Sequence, residues 1–126
     1  MIKLISRTVD NSVPLEKFPA QEGEFVRGDA LKLEGGKLCK ATSADAIEFI
    51  SEETKNVADG EMLTVTRVVS DGVYESELAA EVSDIKPGDV FAISGSNVGA
   101  AESSGKLKIL YAEGKEAGSK VRFNII

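Results

Sequence analysis

The chain has 126 residues, 15 Lys plus Arg against 21 Asp plus Glu for a net charge of −6, one Cys, no Trp and no His. A chain of this length suits one domain that buries about two-thirds of its extended surface, without a disulfide or metal staple. With no His and with Cys39 alone, it holds neither a Ser-His-Asp or Cys-His catalytic pair nor a Cys/His zinc set.

The acidic balance argues against a nucleic-acid partner, because phosphate affinity comes from clustered Lys and Arg. No stretch approaches the roughly 20 apolar residues of a membrane span, so no membrane partner is expected. The first ten residues lack the continuous apolar run of a signal peptide, which places synthesis in a reducing cytoplasm.

Residues 1–20 carry Lys3, Arg7 and Lys17 against Asp10 and Glu16, for +1, so residues 21–126 carry −7. Pro14 and Pro19 set extended or turn backbone at Val13 and Phe18. Ile2, Leu4, Ile5, Val9, Val13, Leu15 and Phe18 keep no helical spacing. Two readings follow: an extended N-terminal arm, partly apolar and loosely tied to a single β-rich domain over 21–126, or a first strand followed by a Pro-containing loop.

From Gly23 onward short strands alternate with Gly-containing turns. In Ala30–Lys40, Gly35-Gly36 supplies the two positive-φ positions of a tight hairpin, placing Glu34 opposite Lys37 as an ion pair and Leu33 opposite Leu38. A second hairpin is predicted across Asp71-Gly72, joining Met62–Ser70 to Val73–Leu78 with Val69 opposite Tyr74, Arg67 opposite Ser76 and Val65 opposite Leu78. Further strands are predicted over Ala46–Ile50, Val90–Ile93, Leu107–Tyr111 and Lys120–Ile126. Helix is scarce, with room for a turn or two only in Ser51–Asp59 and Leu78–Ile85. The pattern predicts an all-β fold, a small barrel or sandwich of about seven or more short strands with Gly-rich hairpins.

Arg27-Gly28-Asp29 spells an adhesion tripeptide, yet the same Gly-Asp step precedes an alternating apolar strand at Gly88-Asp89, 60 residues on (88 less 28). Both read as one strand-launching turn, and one pair of matches does not make a repeat. Gly99–Lys106 resembles a phosphate-binding loop but has one residue too many between its glycines and Leu107 where Ser or Thr is needed. The stretch Ser94–Gly105 therefore reads as a long mobile loop.

Glu75 and Glu77 share one face of a strand and, with Glu53, are the candidates for carboxylate hydrolysis. Their simplest reading is the wet face of a sheet. Cys39, beside Lys37 and Lys40, reads as a small apolar filler. No catalytic, cofactor-binding or metal-ligating set emerges, and the chain is expected not to be an enzyme.

Ser12–Ala20, Gly23–Lys40, Ile47–Ile50, Gly60–Val68 leading to Val73–Glu75, and Val121–Phe123 together resemble the head decoration, or cement, proteins of tailed bacteriophages. The resemblance covers most of residues 12–93 and the C-terminal strand, and fades through 94–105. It implies a viral structural protein on the outer surface of the expanded capsid, a homo-oligomer, commonly a trimer, that stabilises the shell and sits in the virion. The implied partner is the major capsid protein, contacted by the arm through Ile2, Leu4, Ile5, Val9, Val13, Pro14, Leu15 and Phe18. A β-rich binding module of a phage tail, fibre or other surface assembly is the alternative.

Overall fold

The structure, a computed structural model, describes residues 1–7, 13–43 and 45–126. The described chain is all β, without a helix. It begins with β1 (Lys3–Ser6) and continues through β2 (Leu15–Pro19), β3 (Gly23–Phe25), β4 (Ala30–Glu34), β5 (Lys37–Lys40), β6 (Phe49–Ser51), β7 (Lys55–Val57) and β8 (Met62–Arg67). The second half supplies β9 (Val73–Glu77), β10 (Val90–Ser94), β11 (Asn97–Ala101), β12 (Leu107–Ala112) and β13 (Lys120–Ile125). A six-stranded sheet runs β1-β9-β13-β12-β10-β11, a five-stranded sheet β2-β8-β6-β4-β5, and β3 pairs with β7. All these pairings are antiparallel.

The Gly35-Gly36 hairpin forms in the predicted register, both glycines having positive φ and Leu33 facing Leu38. Its ion pair does not form: Lys37 reaches Asp59 at 2.9 Å, while Glu34 meets Lys32 at 3.5 Å. The Asp71-Gly72 hairpin is a correction. A turn exists, with the Gly72 amide donating to the Val69 carbonyl at 3.1 Å, but β8 and β9 diverge into different sheets. Gly72 is hemmed in by Tyr74, Leu4 and Val69, and Tyr74 accepts a hydrogen bond from the Val69 amide, so the turn is a packed crossover. The predicted loop 94–105 is also corrected: it holds β11, a hairpin partner of β10. Gly105 lies so close to the Phe91 carbonyl that a Cβ would collide with it, an approach that glycine permits.

The Gly-Asp echo extends through the whole fold. Lys17↔Thr64 and Glu16↔Val65 recur as Glu75↔Arg122 and Tyr74↔Phe123, a shift of 58 residues (75 less 17, 122 less 64). Phe49↔Arg67, Ile50↔Thr66 and Ser51↔Val65 recur as Leu107↔Ile125, Lys108↔Asn124 and Ile109↔Phe123 with the same shift. Leu33↔Leu38 recurs as Ile93↔Val98, displaced by 60 (93 less 33). The two launching turns superpose in chemistry: Gly28 and Gly88 both have φ +93, and Asp29 and Asp89 each accept, at 2.9 Å, the amide three residues back. In each half one parallel bridge, Ala20↔Leu38 or Leu78↔Val98, curls the sheet toward a partly closed barrel. The strand order β2-β8-β6-β4-β5 is thus repeated as β9-β13-β12-β10-β11, and the chain is an internal duplication of one β unit.

Alternation of apolar side chains gives each half its own core. Leu31, Leu38, Phe49, Leu63 and Val65 fill the first, and Phe91, Val98, Leu107, Ile109, Val121 and Phe123 the second. Ala30 and Ile50, on the opposite face of the first sheet, join the second core together with Ile2. β4 and β6 are therefore buried on both faces, and the junction between halves is apolar.

The loosely tied arm is corrected at this point. β1 adds to β9, β2 adds to β8, and Ile2 is 1% exposed, so the described part of residues 1–20 is built into both sheets. The physical reason is that an extended segment with unpaired amides and apolar side chains is better satisfied on the open edges of its own sheets. The first residues also pack on the launching turn: the Ile2 amide donates to the Gly28 carbonyl at 3.3 Å, and a Cβ on Gly28 would lie 2.9 Å from the Ile2 nitrogen. Gly88 has no atom within 4 Å of the corresponding position. Gly88→Ala is expected to cost about 1–2 kcal/mol for its positive φ alone. Gly28→Ala adds displacement of Ile2, whose burial is worth about 2 kcal/mol more. Denaturant midpoints of the two variants measure this, and equal losses would show that β1 does not seat on Gly28.

Candidate contact surface

β1 is held on β9 by its backbone and by one charge cluster. Lys3 faces Glu75, Leu4 faces Tyr74 and Ser6 faces Val73. Glu75, 8% exposed, lies between Lys3 at 3.4 Å and Arg122 of β13 at 3.2 Å, so one carboxylate ties three adjacent strands. Burial pushes the Glu75 carboxyl upward, but the hydrogen bonds and charges of Arg122 and Lys3 outweigh it and leave the group below the ordinary glutamate value. Further along, Arg7 meets Asp71 at 3.2 Å in the crossover turn.

The residues expected to contact a partner separate into three groups. Ile2 belongs to the core, a correction to its reading as a contact residue, because it seals the junction between halves. Leu4 is half-buried against the same core, and Phe18 packs on Phe49 with ring centroids 4.9 Å apart. Ile5, Pro14 and Leu15 are exposed, Leu15 at 67%, and Val13 is half-buried. Val9 lies outside the described residues. A cleft of about 300 Å³ runs between β1 and β2, lined by Met1, Leu4, Val13, Leu15, Thr66 and Arg67 among others. The structure therefore brings the exposed apolar residues of the N-terminal segment to two neighbouring edges, with a groove between them. Met62, paired with Pro19 at the far end of β2, adds an exposed apolar side chain that sequence reasoning did not single out.

The other motifs are absorbed by the fold. Asp29 of the Arg-Gly-Asp tripeptide is buried and bound to the Val26 amide, leaving no free carboxylate for adhesion. Glu53 accepts the Thr64 amide at 2.7 Å, and that hydrogen bond chiefly holds its carboxyl below the usual range. Glu77 meets the Met1 amine at 3.1 Å. These carboxylates hold strands or turns in place, and the downward shifts at Glu53 and Glu75 run opposite to the raised pKa of a general acid. Burial pushes the Cys39 thiol up, and the neighbouring Glu34 carboxylate adds to the effect, so the thiolate is disfavoured despite nearby lysines. Among the described residues no three His, Cys, Asp or Glu side chains gather as a metal-ligand set, and no helix is long and apolar enough to cross a membrane.

Comparison with known proteins adds no relative: no family model matches the chain, and no curated protein matches it.

The Glu75 clamp predicts a pH response. Its folded pKa lies below that of the unfolded chain, so its stabilisation is complete above the ordinary glutamate value of about 4.3 and is lost as pH falls through the folded value. Amide signals of Lys3–Ser6 are expected to move and lose exchange protection on acidification before those of Leu63 and Val65. Glu75→Gln is expected to loosen β1 already at neutral pH. Simultaneous loss across both sheets would show that Glu75 does not govern β1.

Proposed function

We propose that this protein is a viral structural protein of the capsid-decoration kind, which binds the outer surface of an expanded phage capsid and stabilises the shell. The observation that carries this reading is the exposure of Ile5, Pro14 and Leu15 on the N-terminal segment, with Leu15 lining the β1–β2 cleft, on a chain of net acidic charge. Exposed apolar side chains on one short segment suit a protein contact more than a catalytic site. The resemblance of residues 12–93 to decoration proteins supplies the partner, the major capsid protein, and the three-fold assembly in the virion.

The fold alters how contact is made. Ile2 and Phe18 anchor the segment from within, and the exposed members present a preformed edge, so little ordering entropy is spent on binding. A shell binds many copies at once, and clamping accumulates across them even if each contact is weak.

Mixing the purified protein with expanded capsids that lack it, then imaging the particles, tests the reading. Regular density at local three-folds is expected. Bare heads with decorated tails or fibres would instead support the tail or fibre module. Burying one exposed leucine is worth about 1.5–3 kcal/mol, so Ile5→Asp with Leu15→Asp is expected to cut occupancy by about tenfold or more without unfolding the protein. Unchanged occupancy would remove the N-terminal edges from the contact.

A further inference from the structure

The duplication allows each half to be compared with the other, and the two differ at one edge. In the second half the outer edge of β9 is covered by β1, and Tyr74, Glu75 and Ser76 beneath it are buried. Their equivalents in the first half, 58 residues earlier, are Glu16, Lys17 and Phe18 of β2. Among the described residues no strand pairs with the outer edge of β2, and its side chains are half-buried or exposed. The other terminal strands of the two large sheets are β5 and β11, which match one another, and β1 itself, which has no equivalent in the first half among the described residues.

The geometry points to β2 as an acceptor edge that takes an antiparallel strand from a different protein, one presenting a carboxylate opposite Lys17 and an apolar side chain beside Leu15. Backbone pairing on such an edge supplies the affinity, and the side chains opposite supply the choice of partner. The internal equivalent shows the seat in use: Lys3 of the covering strand pairs with Glu75 at 3.4 Å. At the corresponding place the acceptor is Lys17, so the charge requirement is reversed. β1 of a second copy would set Lys3 against Lys17 and be repelled, which argues against strand exchange between identical chains.

Three neighbours shape the seat. Glu53, whose carboxyl feels the charge of Lys17, is held by the Thr64 amide. Glu16 is engaged by Arg67 at 2.9 Å, and Arg67 in turn lies over Phe49 at 5.0 Å. The β1–β2 cleft of about 300 Å³ provides space alongside Leu15. This acceptor edge does not depend on the capsid role, and its test uses no capsid, so either can fail while the other stands.

The test uses two peptides of residues 1–7 of this chain, one native and one carrying Lys3→Glu, titrated into the intact protein and followed by amide chemical shifts. The Lys3→Glu peptide is expected to shift Leu15–Phe18 and to bind roughly fivefold tighter than the native peptide, the difference between an opposite-charge and a like-charge cross-strand pair. Lys17→Glu in the protein, a substitution at an exposed position, is expected to reverse that preference. Equal binding of both peptides, a preference unaltered by Lys17→Glu, shifts confined to β5 or β11, or no binding at millimolar peptide would each overturn the proposal. Sedimentation closes the remaining route: self-association abolished by Lys17→Glu would assign the edge to a second copy instead.

Discussion

The seating of β1 on β9 is the constraint on which the rest of the molecule depends. A sheet edge leaves a row of amides and carbonyls unpaired, and such an edge is either covered, charged or used. Here the chain covers it with its own beginning, and the covering strand does more than satisfy hydrogen bonds. Ile2 enters the apolar junction between the halves, the Gly28 turn receives the backbone beside it, and Glu75 holds Lys3 and Arg122 across three strands. Remove that strand and the junction loses Ile2, the edge of β9 with its buried Tyr74 and Glu75 is exposed, and the Gly28 turn loses the backbone packed on it.

Duplication explains why the covering strand is informative. Two copies of one β unit follow the same strand order, the same Gly-Asp launching turn and the same parallel bridge, so their shared features report what the unit needs to fold. Their differences report what each half does. The second half buries its equivalent edge under β1. The first half leaves β2 with Leu15 outermost and Lys17 where Glu75 stands in its twin. The small β3–β7 ladder is likewise reduced in the second half to a single hydrogen bond from the Val82 amide to the Lys115 carbonyl. The ion pairs around Glu75, Glu16 and Glu77 serve architecture.

Part of this was legible in the sequence. Gly35-Gly36 announced its hairpin because both positions demand positive φ, and β10, β12 and β13 were visible as alternating apolar runs. The Gly-Asp echo was visible too, but not its extent, because the duplicated information lies in backbone geometry while side chains diverged, as at Lys17 and Glu75. β11 escaped because Asn97–Ala101 is built of small residues that carry little strand signal. The Asp71-Gly72 turn misled because turn chemistry fixes a reversal without fixing which strands pair; β13, distant in sequence, captured β9. Residues 15–19 read as part of an arm or of a Pro-containing loop, yet an edge strand tolerates a residue without an amide proton at Pro19. The candidate contact region was half legible: exposed Ile5, Pro14 and Leu15 were named, but nothing local separated them from buried Ile2.

The difference between the two equivalent edges can be measured directly in the protein alone. Residue-resolved hydrogen exchange at neutral pH compares the amides of β9 that face β1 with their equivalents on the outer edge of β2. Strong protection on β9 and near-free exchange on β2 is the result predicted by one covered and one open edge. Equal protection of both edges would contradict it, because the first half would then already be closed, and equal exposure would contradict it by showing β1 unseated.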